Sequence, residues 1–223
     1  MLHAGQETMD SSLDGMSEVK QDELFSFFPV PVLVSQYPKP YEEELKYIQN
    51  IPCERENKTG DAHHNWQSRD TFVLDRPELS EVKEFIESKI RLFSKEVLRA
   101  RKDFMITQSW VIKSSKGDYH QEHTHPNSLV SGVLYLVFNE DMPPIMFRSK
   151  RQPEVSISVE EQNGFNSVQR AMKVNAGDLA IFPSNMMHGV PPNQTDTERV
   201  SLAFNTWTKG SLGEIDALTY LQQ

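Results

Sequence analysis

The sequence predicts a mainly β protein, an antiparallel sandwich or barrel, in which helices precede the strands. Two observations indicate this class. From Phe104 onward, seven or eight short apolar segments are separated by clusters of Pro, Gly, Asn or Asp, with no helical pattern between them. Before that point, two segments repeat apolar residues at every third or fourth position. Helices followed by a run of strands favour a layered antiparallel fold over an alternating α/β sheet.

The first part of the chain is predicted to contain an extension and an edge strand. Residues 1–24 are acidic and polar and carry no aromatic residue, which is typical of a flexible extension. A single domain is then expected from residue 25 to residue 223. It opens with FSFFPVPVLVSQY, where Pro29 and Pro31 each lack a backbone donor, so this segment is predicted to be an edge strand or an extended entry segment.

Two helices are predicted to support the sheets. The first is a short amphipathic helix at about 41–50, closed by Pro52. The second, at about 76–100, has one apolar face, and Asp75 with Glu78 resembles a capping box at its start. Between them, TFVLD is predicted to form a strand. The later candidate strands are FMITQSWVIK, HQEHTH, LVSGVLYLVF, IMFRS, EVSISVE, QRAMKV, DLAIFP and RVSLAFNTW.

The net charge and the cysteine content of the chain limit the kinds of binding partner and the cellular location that we expect. The formal net charge of −9 argues against nucleic acid or an anionic membrane as the main partner, because such contacts need a basic surface. Cys53 is the only cysteine, and neither a secretory signal nor a membrane-spanning apolar run is present, so a cytoplasmic location is expected. The oligomeric state is left open, with a homodimer as one option.

The most informative stretch is KGDYHQEHTHPNSLVSGVLYL, which holds three histidines within six residues. In an extended strand, residues two apart project to the same face, so His123 and His125 can point into one cavity. A later apolar segment, DLAIFP, is predicted to form a strand, and His188 follows it just beyond a turn. In a β-sandwich such a strand can return beside an earlier one, and His188 can complete a set of three metal ligands.

A second pattern follows in the strand RVSLAFNTW. Arg199 and Ser201 share one face of this strand, and Val200, Leu202 and Phe204 occupy the other. If the arginine face looks into a polar cavity, burying its guanidinium is costly unless an anion meets it. A carboxylate bound in a two-point geometry, assisted by a serine hydroxyl, satisfies such a group.

Taken together, HTH, SGVLYL, GDLAIFPSNMMH and RVSLAFN resemble the iron(II)- and 2-oxoglutarate-dependent oxygenases. The resemblance is to a subgroup of these oxygenases that is found in bacteria and phages and has the pattern HxHP…SGVxYL…FPSxxxH…ERxSxxFN. It covers roughly residues 27–207. It implies a double-stranded β-helix, a jelly-roll fold similar to that of the cupins. It further implies a dioxygenase that uses Fe(II), O₂ and 2-oxoglutarate to hydroxylate a substrate, with release of succinate and CO₂.

Carried over residue by residue, the resemblance implies that His123 and His188 bind Fe(II). Arg199 would hold the distal carboxylate of 2-oxoglutarate, with Ser201 beside it. Tyr135, in SGVLYL, would contact the same cosubstrate. The remaining candidate pocket residues are Ser131 and Asn205, the latter because it shares the face of Arg199.

The second metal ligand departs from the wider superfamily, which has Asp or Glu where HTH has a histidine. Either His123, His125 and His188 form an all-nitrogen site, or His120 and Glu122, which read His-x-Glu, join His188. We prefer the first set because the subgroup's motif aligns on HTHP. Two histidines with water in the third position are a further option.

The strongest rival interpretation is a metal-binding cupin that does not use 2-oxoglutarate. GDYHQEHTH and GDLAIFPSNMMH approach the cupin spacing, but the expected carboxylate after His-x-His is missing and Asn185 replaces a glycine. That interpretation also gives Arg199 and Ser201 no role. The primary substrate is left open among protein side chains, amino acids and small metabolites.

Overall fold

The structure, a computed structural model, describes residues 27–55, 65–150 and 157–222. The predicted extension, residues 1–24, lies outside these ranges. Within them, the chain forms two α-helices, α1 (Glu42–Gln49) and α2 (Ser80–Leu92). The strands are β1 (Leu33–Gln36), β2 (Cys53–Arg55), β3 (Trp66–Ser68), β4 (Phe104–Ser114), β5 (His120–His123), β6 (Val130–Val137), β7 (Ile145–Arg148), β8 (Gln169–Met172), β9 (Asp178–Pro183), β10 (Met187–Val190) and β11 (Arg199–Thr208).

The strands form two antiparallel sheets. The larger has the order β1-β9-β6-β11-β4-β3-β2, and the smaller has the order β5-β10-β7-β8. The predicted edge position is confirmed for β1, which among the described strands pairs only with β9, but Pro29 and Pro31 lie before this strand and not in it. This mostly β architecture of two sheets agrees with the predicted class and is consistent with a jelly roll.

The hydrophobic core lies between the large sheet and the helices. The apolar face of α2, including Val82, Ile86 and Ile90, is fully buried in the same cluster as residues of the central strands. The residues that β11 contributes to this cluster are Val200, Leu202 and Phe204. The prediction that these three face away from Arg199 is therefore confirmed, and the opposite face of β11 is free to line a cavity.

The second helix begins later than predicted. Arg76 is extended, and residues Pro77–Leu79 form a 3-10 turn before α2 starts at Ser80. The predicted capping box is wrong, because no side chain caps α2 and the Asp75 carboxylate pairs with Lys83 at 2.7 Å instead. Beyond α2, a π-helical turn covers Phe93–Val97, and the left-handed φ of 51° at Arg99 ends the helical segment.

Two predicted strands are also wrong. In TFVLD, Val73–Asp75 is a 3-10 turn whose Leu74 amide donates to the Ser109 hydroxyl at 2.9 Å, so the segment packs across β4 without extending the sheet. In EVSISVE, residues 157–160 form no strand, and Ile157 is 75% exposed. The rest of that segment lies outside the described residues.

Candidate metal and anion site

A cavity between the two sheets brings together both of the patterns found in the sequence. The small sheet contributes the histidines from β5, β10 and the segment after β5. The large sheet contributes Trp110 and Ile112 from β4 and polar residues from β6 and β11. The described residues that the sequence predicted and that line the cavity are His120, His123, His125, Ser131, Tyr135, His188, Arg199 and Ser201. Aromatic and aliphatic side chains fill the space between them, which limits access of water to the polar groups.

Three histidines form the cluster at one end of this cavity. His123 and His188 are direct cross-strand partners in the ladder of β5 with β10, and their rings lie 4.3 Å apart. His125 follows just after β5, where its backbone amide donates to the Ser184 carbonyl at 2.9 Å. The ring nitrogens that the three offer lie within 4.8 Å of one another. This spacing allows a single metal ion to contact all three.

The hydrogen bonds of two histidines fix which nitrogen faces the cavity. His123 Nδ1 contacts the Gln121 carbonyl at 2.7 Å, and His188 Nδ1 contacts the Met186 carbonyl at 2.8 Å. Since a carbonyl oxygen only accepts, both Nδ1 atoms must carry the proton and donate it. In the neutral form of such a ring, the proton is on Nδ1 and the lone pair is on Nε2. This is a tautomer in which histidine binds metal ions.

The protonation state of the cluster also suits a cation. Burial lowers the pKa of His125 to about 3, with the nearby His123 as the next cause. Burial likewise lowers the pKa of His188 to about 4. Both imidazoles are therefore neutral at pH 7 and are able to donate a lone pair without first losing a proton.

The alternative ligand pair, His120 with Glu122, is not brought together at the cavity. The Glu122 carboxylate is instead held by Arg148, at 2.7 Å from Nε and 2.8 Å from Nη2, on the partly exposed side of the small sheet. His120 does reach the cavity, where its ring stacks on His123 at 4.3 Å. Its pKa is well below the usual value, chiefly because it is buried.

An irregularity in β5 explains this arrangement. The ladder pairs His188 with His123 and Val190 with His120, so β5 has one more residue than β10 over the same length. Such a bulge lets two residues three apart face the same side. Gly189 lies against it, since a Cβ there would stand 2.9 Å from the His120 carbonyl oxygen and 3.0 Å from the Glu122 nitrogen.

Arg199 lies at the other end of the cavity and is 3% exposed. Its Nη2 donates to the Ser114 hydroxyl at 3.1 Å, while its Nε is buried and has no hydrogen-bond partner among the described residues. Burial lowers the pKa of this guanidinium from its usual value, yet arginine stays protonated at neutral pH. The site therefore contains a buried cation with an unsatisfied donor, which is the environment that an incoming carboxylate would complete.

Two predicted neighbours of Arg199 lie beside it on the large sheet. Ser201 and Tyr135 are cross-strand partners in the ladder of β11 with β6, and both are buried. Burial raises the pKa of the Tyr135 hydroxyl above its usual value, so the phenol keeps its proton and is able to donate it. Both hydroxyls belong to residues that line the cavity.

Ser131 and Asn205 are paired in register further along the same two strands. Ser131 Oγ donates to Asn205 Oδ1 at 2.7 Å, and its oxygen lies 2.8 Å from the Ser184 hydroxyl. Ser131 lines the cavity, whereas Asn205 is not among the described residues that line it and is joined to Ser131 by this bond. The orientation of the Asn205 amide is therefore fixed by the protein.

Sequence reasoning missed residues of β4 that line the cavity. Trp110 and Ile112 face it, and Trp110 lies 6.0 Å from His125 between ring centroids. The alternation in FMITQSWVIKS carried a signal for this face, since Trp110, Ile112 and Ser114 are two apart. Nothing in the sequence indicated that β4 pairs with β11 so that Ser114 lies opposite Arg199.

A mostly β, two-sheet fold with a histidine cluster and a buried arginine in one cavity defines a candidate metal-dependent enzyme. Residues 108–205 match a family model described as "Putative 2OG-Fe(II) oxygenase". The matched region includes all the histidines of the cluster and Arg199, and it confirms the resemblance that the motifs indicated. This segment of the chain is therefore similar to the 2OG-Fe(II) oxygenases.

Solved structures support the fold at low sequence identity. A 2OG-Fe(II) oxygenase family oxidoreductase from Burkholderia pseudomallei is 16% identical, with a TM-score of 0.54 over 73% of this chain and 76% of the other. A Pseudomonas putida prolyl-4-hydroxylase is 15% identical, with a TM-score of 0.56 over 81% of this chain and 94% of the other. HygX from Streptomyces hygroscopicus, solved with nickel, 2-oxoglutarate and hygromycin B, is 10% identical, with a TM-score of 0.57 over 79% and 82%.

Two further searches gave negative findings. No curated protein matches the chain significantly. In the described part of the chain, none of the helices is long and apolar enough to cross a membrane.

Proposed function

We propose that this protein is an Fe(II)- and 2-oxoglutarate-dependent dioxygenase whose two sheets form a double-stranded β-helix over residues 25–223. The observation that carries the proposal is the pairing of two sites in one cavity. Three imidazoles converge at one end, and the buried Arg199, whose Nε has no hydrogen-bond partner among the described residues, lies at the other. A metal ion suits the first and a carboxylate suits the second, and 2-oxoglutarate is a ligand that can satisfy both.

In this proposal His123, His125 and His188 hold the metal through nitrogen. The two backbone carbonyls that accept from Nδ1 of His123 and His188 keep these rings in the required tautomer. When bound, iron with 2-oxoglutarate and O₂ supplies a hydroxylation coupled to decarboxylation, with succinate and CO₂ as products. HygX, which has a similar fold, is solved with nickel and 2-oxoglutarate.

Arg199 binds the distal carboxylate of 2-oxoglutarate in this proposal, and Ser201 and Tyr135 donate to the same cosubstrate. A charged donor pair with a carboxylate is shorter and stronger than a neutral hydrogen bond, and burial strengthens it further. The protein thus orients the cosubstrate from the end opposite the metal. This role also accounts for a guanidinium that is buried with no counterion among the described residues.

Ser131 and Asn205 are proposed to border the space for the primary substrate. They lie on the same strands as Tyr135 and Arg199, but further along toward Trp110 and His125. Asn205 is anchored through its oxygen by Ser131, which leaves its amide nitrogen as a donor. We place the substrate among protein side chains, amino acids and small metabolites, and the net charge of −9 argues against nucleic acid.

A cupin that binds metal without 2-oxoglutarate is the alternative, and no observation at the site favours it. It would need only the histidine end of the cavity. The buried charge of Arg199 would then have no counterion, at a cost on the order of several kcal/mol.

The test is an anaerobic titration of the purified protein with Fe(II) and then with 2-oxoglutarate, followed by visible absorbance. We expect an absorption band that requires both additions, and slow formation of succinate once O₂ is admitted. Arg199→Ala should abolish the band, whereas the matched control Arg148→Ala, on the far side of the small sheet, should keep it. Binding of iron without any response to 2-oxoglutarate would overturn the proposal in favour of the cupin.

A further inference from the structure

Arg199 is hydrogen-bonded to the buried Ser114 of β4, which is in turn hydrogen-bonded to the buried Asn65, the residue just before β3. We propose that Asn65 and Ser114 are positioning residues that fix the Arg199 guanidinium for the distal carboxylate of the cosubstrate. This inference rests on the proposed function and adds a relay of side chains, Asn65 to Ser114 to Arg199.

The relay is a continuous chain of hydrogen bonds in the interior. Arg199 Nη2 donates to Ser114 Oγ at 3.1 Å, and Ser114 Oγ donates to Asn65 Oδ1. Asn65 is 2% exposed, Ser114 is 1% exposed and Arg199 is 3% exposed. Ser114 is also the register partner of Arg199 between β4 and β11, so the backbone of the sheet sets the distance between the two side chains.

The direction of these bonds gives Asn65 a role beyond packing. A serine hydroxyl has one proton and two lone pairs. With its proton held by the Asn65 carbonyl oxygen, Ser114 presents only lone pairs to the guanidinium. Without Asn65, the hydroxyl would rotate among other acceptors and hold Arg199 less firmly. Asn65 therefore acts on Arg199 through Ser114.

The same chain leaves the cosubstrate-facing donors of Arg199 free. Ser114 accepts one hydrogen bond from Nη2, and Arg199 Nε is buried with no hydrogen-bond partner among the described residues. The relay thus restrains the side chain through only one of its donors. A guanidinium restrained in this way loses less side-chain entropy when the anion binds.

Asn65 itself carries a second sign of a functional role. Its Nδ2 is buried and also has no hydrogen-bond partner in the described part of the chain. A buried amide with an unsatisfied donor reduces the stability of the fold. The hydrogen bond from Ser114 to Asn65 is therefore not explained by a gain in stability. A residue that costs stability but orients a charged neighbour is expected at a binding site.

The experiment compares two ligands by calorimetry on the full-length protein loaded with Mn(II) under anaerobic conditions. One ligand is 2-oxoglutarate, and the other is 2-oxopentanoate, a five-carbon 2-oxo acid with a methyl group in place of the distal carboxylate. Asn65→Ala and Ser114→Ala should each weaken 2-oxoglutarate binding by about tenfold, as expected for a hydrogen bond to a charged group. Binding of 2-oxopentanoate and of Mn(II) should stay within about twofold, because neither contacts Arg199.

The matched control is Ser109→Ala. Ser109 is a buried serine on the same strand, but its hydroxyl faces the helical layer, where it accepts from the Leu74 amide. Its loss should lower the melting temperature without changing the affinity for either ligand. Ser114→Thr, which keeps the hydroxyl on a strand, should retain most of the affinity for 2-oxoglutarate. Asn65→Ala carries the test should Ser114→Ala fail to fold.

A double variant tests whether the relay acts as one unit. In the Ser114→Ala background, Asn65→Ala should cause no further loss of 2-oxoglutarate affinity. Equal loss of affinity for both ligands, or additive losses in the double variant, would overturn the relay. If the wild-type protein binds Mn(II) but not 2-oxoglutarate, the proposed function itself fails. If the wild-type protein binds 2-oxoglutarate and Asn65→Ala binds it equally well, only the relay fails.

Discussion

The two ends of the cavity are built differently. The histidine end rests on β5 and β10, two strands of four residues, and β5 is bulged and lies at the edge of the small sheet. The arginine end rests on β11, a strand of ten residues at the centre of the seven-stranded sheet. Behind β11, the buried residues of α2 complete the core.

The difference also appears in how polar groups are satisfied. At the histidine end, His123 and His188 each donate a hydrogen bond from Nδ1 to a backbone carbonyl, which leaves Nε2 as the other ring nitrogen for a metal. At the arginine end, a buried charge keeps one donor without a partner among the described residues. One end is thus prepared for a cation and the other for an anion, and the two make different demands on the fold.

The largest effect is expected at the histidine end from His188→Ala. This change removes one of three clustered nitrogens, and the affinity for Mn(II) should fall by about 100-fold or more, since changes to outer-shell residues alone cost about 10–100-fold. Calorimetric titration of the metal-free protein with Mn(II) measures it. Retention of wild-type affinity would mean that the metal lies elsewhere.

At the arginine end, Arg199→Met should separate the two functions of the cavity. We expect the affinity for 2-oxoglutarate to fall by about 100-fold, as for loss of a charge that pairs with a buried carboxylate, while Mn(II) affinity stays within about twofold. The ligand-free variant should melt at a higher temperature than the wild type, because a buried unpaired charge is replaced by an apolar chain of similar length. A lower melting temperature with unchanged 2-oxoglutarate binding would contradict both expectations.

Gly189→Ala tests whether the bulge of β5 positions the metal ligands. The added Cβ would meet backbone atoms of β5 at 2.9–3.1 Å, so this strand must shift. We expect the free energy of unfolding to fall by about 1–3 kcal/mol and the affinity for Mn(II) to fall by about tenfold. Gly164→Ala, whose added Cβ would meet only an arginine side chain at 3.5 Å, is the control and should change neither.

The smallest effect is expected from Glu122→Gln. Glu122 pairs with Arg148 in a partly exposed salt bridge, and such pairs contribute about 0–1 kcal/mol. The affinity for Mn(II) should change by less than about twofold in the same titration. A loss of tenfold or more would make Glu122 a metal ligand and restore the His-x-Glu alternative.

The sequence was most informative where one strand alone determined the outcome. The alternation of Arg199 and Ser201 with Val200, Leu202 and Phe204 predicted the two faces of β11, and the structure has them as predicted. The alternation of side chains between the two faces of a strand follows from the pleat of its backbone, so it does not depend on which strands lie beside it. The polar face could therefore be recognised without knowing its neighbours.

Features that depend on contacts between strands could not be predicted in this way. The bulge that brings His120 beside His123 depends on pairing with β10, and no local pattern in HQEH indicates it. The contact between Ser114 and Arg199 depends on the register of β4 with β11. The late start of α2 has a local cause, since Pro77 and the extended Arg76 favour a 3-10 turn over the predicted first helical turn.

The most direct test of the central claim is a crystal structure of the protein with Mn(II) and 2-oxoglutarate, prepared without O₂. We predict that the metal contacts His123, His125 and His188, and that the distal carboxylate of the same 2-oxoglutarate molecule lies within hydrogen-bonding distance of Arg199 Nε. A metal bound through Glu122, or a 2-oxoglutarate molecule whose distal carboxylate lies away from Arg199, would contradict the account.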